Sequence, residues 1–136
     1  MLLLACLGPD RCQREYRALS CRQFPFFPYI SSDYRFLGLA CEWEWQDRCW
    51  VVSHLHKVSQ TYRRQFIEIH DRLFSVFQEV FEDYARHSER LRAYHLAMRR
   101  RFPLLHRNKG DYLVSPGSER MQRVIPRTLS KHGNYR

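Results

Sequence analysis

Between Val51 and Phe102 the chain contains neither glycine nor proline. Those two residues supply most tight turns, so a compact run of short strands within that stretch is excluded, and a helix is favoured. Long apolar runs are missing too. With a mean hydropathy of −0.59 and no uncharged apolar window of about 18 residues, the sequence gives no sign of a membrane-spanning helix. Lysine is scarce, with Lys57, Lys109 and Lys131 set against twenty arginines. The five cysteines, Cys6, Cys12, Cys21, Cys41 and Cys49, all lie in the first 49 residues and form no Cys-x-x-Cys pair. A zinc ribbon or a thioredoxin-type site is thereby unsupported, and an odd count cannot pair completely within one chain. Free or buried thiols are the expectation.

Motifs of enzyme chemistry are equally thin. No His-Glu-x-x-His occurs, and the five scattered glycines build no phosphate-binding loop. His87 and His95 stand eight apart, and Asp83 with His87 makes an i, i+4 pair. A two-metal carboxylate site needs Glu-x-x-His on two helices, which this chain lacks. Cys41 or Cys49 beside His54 or His56 offers thiol and imidazole, but no elbow or oxyanion loop flanks them. The expectation is a chain that is not an enzyme, with no metal, no cofactor and no small-molecule substrate.

What is present is a stripe. Apolar or aromatic residues recur at Val51, Leu55, Val58, Tyr62, Phe66, Ile69, Leu73, Val76, Val80 and Tyr84, then through His87 to Leu91, Tyr94, Met98 and Phe102. The mean step is about 3.6 residues, the period of an α-helix. Glu42, Glu44 and Asp47 precede the stripe and Arg99, Arg100 and Arg101 end it, complementing a helix dipole, and Pro103 follows as a stop. The reading is all-α: one long amphipathic helix over about 46–102, with an irregular or short-helical N-terminal arm over 1–45 and a basic extended tail over 103–136. The striped part alone, Val51 to Phe102, would run roughly 75 to 80 Å as a helix. The alternative is a helical hairpin bending at Arg86 to Ser88, where the surface turns polar.

Ile67, Phe74, Phe77 and Phe81 form a second stripe beside the first, so the middle of the helix calls for partners on two sides. Its densest patch, Phe66, Ile69, Leu73, Phe74, Phe77, Val80, Phe81 and Tyr84, is the candidate partner interface. Upstream, Phe24 to Gly38 carries Pro25 and Pro28 among six aromatics. It should be extended and lie along another surface. Arg11 to Arg22 reads as a short amphipathic helix.

Charge divides the chain in two. From Arg86 onward there are 13 basic residues against three acids, whereas the first 85 residues hold 10 against 11, within a total of +9. Arg99, Arg100, Arg101, Arg107, Lys109, Arg120, Arg123, Arg127 and Lys131 are candidate contacts to phosphate, with Tyr112 and Tyr135 available for stacking.

These features point to a non-catalytic, basic, helical accessory or scaffolding subunit of a large assembly. Respiratory and ATP-synthase complexes and organellar ribosomes use small basic chains of this layout, so an intracellular, mitochondrial setting accompanies the reading by analogy. Its partners would be other protein subunits along the stripe. A stand-alone RNA-binding protein using the Arg-rich half is the alternative, and a protein lying on an anionic lipid surface is the second.

Overall fold

The computed structural model describes residues 9–12, 15, 17–129 and 133–136. A short helix, α1 (Leu19–Gln23), leads into the hairpin β1 (Phe26–Ile30) and β2 (Phe36–Cys41). Turns of 3₁₀ helix at Trp43–Trp45 and Val52–Lys57 then lead to α2 (Gln60–Val76) and α3 (Gln78–Ala97). The chain closes with β3 (Phe102–His106), β4 (Asp111–Val114), β5 (Met121–Arg123) and a last 3₁₀ turn at Pro126–Leu129. The five strands form one antiparallel sheet in the order β1-β2-β3-β4-β5. The fold is therefore α+β, and the all-α expectation is wrong.

The strands were hidden for two reasons. β1 and β3 are covered on both faces and read as nearly continuous apolar runs, FFPYI and FPLLH, without the alternation that marks a half-buried strand. Each also contains a proline. β1 is an edge strand, where Pro28 is tolerated: both main-chain groups of Ile30, two residues on, point outward, so the N–H that Pro28 lacks would have faced outward as well. Gly38 in β2 has φ +155°, and a Cβ there would stand 2.2 Å from the Leu105 carbonyl oxygen of β3.

Alternation along the strands assigns two faces. Phe27, Tyr29, Ala40, Phe102, Leu104 and Val114 pack with Leu91 of α3. Phe26, Ile30, Leu39, Cys41, Leu105 and Leu113 pack with Phe66 of α2 and with Val52, Leu55 and Leu129 from the 3₁₀ turns. The two helices thus cover opposite faces of one sheet, and Tyr84 touches both clusters.

That arrangement requires the helical stretch to break, and it does so at Phe77 (φ −120°, ψ 93°). His70 and Tyr84 are fourteen residues apart, about 21 Å along a continuous helix, yet their ring centroids lie 6.0 Å apart. Phe74 meets Phe81 edge to face at 5.3 Å. The second stripe is what closes the corner. The single helix over 46–102 is consequently two helices, and the bend lies at Phe77, not at Arg86 to Ser88, which α3 traverses unbroken.

The ends move inward as well. Ser59 caps α2, its Oγ accepting from the Tyr62 N–H at 3.1 Å. The acids Glu42, Glu44 and Asp47 lie in or beside the earlier 3₁₀ turn and not at a helix start. α3 stops at Ala97, where Arg99 turns through φ 54°. Pro103 lies inside β3. The supposed extended tail over 103–136 supplies three of the five strands, and the N-terminal region supplies the other two. Cys12, Cys21, Cys41 and Cys49 are free thiols, while Cys6 and Lys131 lie outside the described residues.

Candidate interaction surface

The proposed interface patch divides. Phe66 is 5% exposed and Phe74, Phe81 and Tyr84 pack against the same core, so the chain's own sheet covers them. Ile69, Leu73, Val76, Phe77 and Val80 belong to neither core cluster. Ile69, Leu73 and Val76 follow i, i+4, i+7 spacing on one flank of α2, and Phe77 and Val80 continue it round the corner. Val76 is 70% exposed, Phe77 46% and Ile69 44%. Ile69, Leu73, Phe77 and Val80 are the residues of the expected patch that the chain's own core leaves uncovered.

The basic set does not assemble into one track. Arg101 is structural: its Nη1 donates to Gln122 Oε1 at 2.5 Å, and its Nε and Nη2 donate to the Arg136 main-chain oxygen. Arg107 pairs with Asp71 at 2.8 Å, donates to the Phe36 carbonyl and lies over the Phe36 ring at 5.5 Å. Those two arginines flank β3 and are separated by about 20 Å of strand. Arg99, Arg100 and Arg120 lie toward the Arg101 end, because Val114 pairs with both Phe102 and Met121. Lys109 sits in the turn at the opposite end, with φ 72°. Arg123 is on the exposed strand β5, and Arg127 is on the 3₁₀ turn that packs against Val52–Lys57. Of the candidate stacking residues, Tyr135 is buried and Tyr112 is half-buried against His106.

A cluster that sequence reasoning passed over stands beside α2. Phe24, Pro25, Phe26, Trp50, Val51, Val58 and Tyr62 line a groove of about 290 Å³ together with Arg22, His54, Lys57 and Ser59. Trp50 is 62% exposed, yet its ring is backed by His54 at 4.0 Å and 12° between planes. The His54 Nδ1 is anchored against the Trp50 carbonyl at 2.7 Å and the Ser53 hydroxyl at 2.9 Å. Phe24 meets the edge of Trp45 at 5.6 Å. Tyr62 donates its hydroxyl to the Arg22 carbonyl at 3.0 Å, and burial raises its pKa. The sequence signal is three tryptophans within eight residues, Trp43, Trp45 and Trp50, among the acids Glu42, Glu44 and Asp47 expected to precede the helix.

Buried polar groups elsewhere hold the fold together. Arg63 on α2 donates to Asp111 Oδ1 at 2.9 Å and to the Gly110 and His106 carbonyls, which locks the β3–β4 turn onto the helix. Tyr29 donates to Glu119 Oε1 at 2.5 Å, and Arg92 reaches the same oxygen at 3.2 Å. Burial, with Glu119 as acceptor, pushes the Tyr29 hydroxyl well above its ordinary value. Desolvation opposes the charge on Glu119, but hydrogen bonds from Ser32 and Tyr29 outweigh it and hold that carboxyl below its usual range. These groups lie beside a cleft of about 550 Å³ between the β1–β2 turn and α3. They already satisfy one another.

His95 is fully buried. Its Nδ1 faces the Leu91 carbonyl at 2.9 Å, so it carries the proton, leaving Nε2 to accept from the Gln46 amide at 3.0 Å. Desolvation lowers its pKa and keeps the ring neutral. His70 is held the same way by burial, with Nδ1 against the Phe66 carbonyl at 2.8 Å. Its Nε2 faces Gln23 Oε1 at 3.1 Å, an arrangement that would suit a charged ring. Burial without a carboxylate partner argues for the neutral ring. The Gln23 amide turned over, NH₂ toward His70 and oxygen toward the Tyr84 hydroxyl, then satisfies every atom.

Of the thiol–imidazole pairs weighed from sequence, Cys41 with His54 is not made. Cys41 is buried, its thiol pushed well up by desolvation and so kept protonated, and His54 is occupied beneath Trp50. His87 bonds Glu42 at 2.9 Å and His95 bonds Gln46, so the two histidines are engaged separately. Among the described residues no group of three or more His, Cys, Asp or Glu could hold a metal ion, and no helix is long and apolar enough to cross a membrane. Compared with known proteins, the chain matches no family model, no curated protein and no solved structure.

Proposed function

We propose that this chain is a non-catalytic protein-binding module, attached to a larger assembly through the outer flank of its helix corner. The carrying observation is the row Ile69, Leu73, Val76, Phe77 and Val80, apolar at helical spacing and left outside both core clusters. The chain spends Phe66, Phe74 and Phe81 on its own sheet but leaves Ile69, Val76 and Phe77 exposed and Leu73 and Val80 half-buried. A contiguous apolar row of this kind marks an interaction surface, and aromatic and aliphatic anchors at its centre would supply most of the affinity. The proposal keeps the idea of an accessory subunit but gives it a folded α+β domain presenting a helical flank where a bare rod was expected.

The test is co-purification from the native source through a high-salt wash, comparing the natural chain with Ile69→Asp plus Val76→Asp. Fixed partners should stay with the natural chain and be lost from the double variant, whose urea midpoint is unchanged. Partners retained by the double variant, or a natural chain that elutes alone, would overturn the reading.

A further inference from the structure

The aromatic groove at the start of α2 adjoins the helix flank, Arg22 and Tyr62 sharing a smaller pocket with Ile69, but its chemistry is different. At its mouth Trp50 presents one ring face to solvent, while the other is clamped by His54 in a near-parallel stack. The platform is therefore set before any ligand arrives. Phe24 and Tyr62 add further aromatic surface. Arg22 and Lys57 are exposed at the rim, no carboxylate lines the groove, and among the described residues neither cation forms an ion pair. Arg22 is steadied by donating to the Arg17 and Glu15 carbonyls, which leaves its positive charge uncompensated.

A fixed π-face with unpaired cations beside it is the combination that single-stranded nucleic acids use, bases stacking and phosphates meeting the charges. A proline-rich peptide docks between aromatic side chains that line a groove, whereas here one face of Trp50 is occupied by His54, and the ring contacts of Phe24 and Tyr62 are with Trp45, Phe26 and Phe66 and not with Trp50. The chain's net charge of +9 favours an anionic ligand over a cationic one. We infer that this groove binds single-stranded nucleic acid, with one base on the outer face of Trp50 and flanking phosphates at Lys57 and Arg22. This places nucleic-acid contact at the N-terminal side of α2 and away from the Arg-rich set first indicated by composition.

The experiment is fluorescence anisotropy on the full chain, using a fluorescein-labelled 12-nucleotide single-stranded RNA of mixed sequence and the corresponding duplex, over a range of salt concentrations. Single strand should bind more tightly than duplex. Trp50→Ala should weaken it about tenfold or more, as expected for loss of one base stack. Arg22→Gln with Lys57→Gln should make the salt slope shallower by about 1.4, at about 0.7 per phosphate contact. Lys57→Glu, a change at an exposed position, serves as the second variant should Trp50→Ala fold poorly, and it too should weaken binding. Val76→Asp, at an exposed position that lines neither the groove nor the pocket holding Arg22, should bind RNA as the natural chain does, which separates this site from the protein-binding flank. Equal affinity for duplex and single strand, indifference to both Trp50→Ala and Lys57→Glu, or no binding at 100-fold the concentration of a nonspecific basic control would overturn the inference. So would Trp50-dependent binding of an acidic proline-rich peptide with none of RNA.

Discussion

The Ile30 main-chain N–H, on the outer edge of β1, donates to Ser88 Oγ of α3 at 2.9 Å. One turn further along the helix, Arg92 Nη1 donates to the Ile30 carbonyl at 3.0 Å. An edge strand normally offers such groups to another chain, and here α3 closes them off. The helix is thereby fixed in register against the sheet by two polar contacts as well as by Leu91.

Ser88→Ala should expose the value of that closure. Ser88 is fully buried, so the substitution leaves the Ile30 N–H without its partner and should cost about 1–3 kcal/mol. Urea unfolding with an unchanged m-value is the measurement. A loss below a few tenths of a kcal/mol would mean that the edge finds another acceptor.

Much of this architecture was legible, though under the wrong heading. The helical period, the absence of breakers and the doubled stripe at Ile67, Phe74, Phe77 and Phe81 all belong to α2 and α3. The phase is continuous across Phe77, so periodicity alone could not show a corner. A two-sided stripe does imply two covering surfaces. Those surfaces are the two faces of one sheet, and the sheet was missed because its strands are short and because β1 and β3 carry prolines and are buried on both sides. Of the candidate sites, the flank at Ile69, Leu73 and Val76 was visible as pattern. The Trp50 platform was not, because it depends on His54 folding back beneath the ring and on α1 bringing Arg22 to the rim.

The pair Arg63–Asp111 gives a second prediction. Their side chains are 6% and 10% exposed, and Arg63 Nε has no partner although Nη1 and Nη2 do. Asp111→Ala strands a buried guanidinium and should destabilise the fold by about 3–5 kcal/mol. A domain with about 5–15 kcal/mol in total would be close to unfolding. Arg63→Met combined with Asp111→Leu should recover much of the loss, because a well-packed apolar pair needs no charge compensation. Denaturant curves for the three chains decide it.

A third prediction concerns acid. His70, His95 and His106 all have pKa values lowered by desolvation in the folded chain. The unfolded chain therefore binds more protons below its histidine pKa of about 6.5, and stability rises with pH up to that point and then levels. The urea midpoint should be flat between pH 7 and 8 and fall steadily from about pH 6.5 downward. His95→Gln should make that fall shallower. A midpoint that rises as pH drops from 7 to 5.5 would contradict neutral buried histidines.

The last prediction separates core from surface within the stripe first read as a single interface. Phe66 is buried among Phe26, Phe36 and Leu39, and its rings of contact extend to Tyr62 and His70. Phe66→Ala should leave a cavity and cost about 3–5 kcal/mol. Ile69 and Val76, one and three turns further along α2, face outward, so Ile69→Ala and Val76→Ala should each stay within about 0.5 kcal/mol. Phe81 packs against Phe74 at 5.3 Å, so Phe81→Ala should behave like the core change and Phe77→Ala more like the surface ones. Thermal or urea unfolding of the five single variants ranks them directly. If Val76→Ala and Ile69→Ala prove as costly as Phe66→Ala in the isolated chain, the flank is already covered within the protein itself and cannot be the surface that meets a partner.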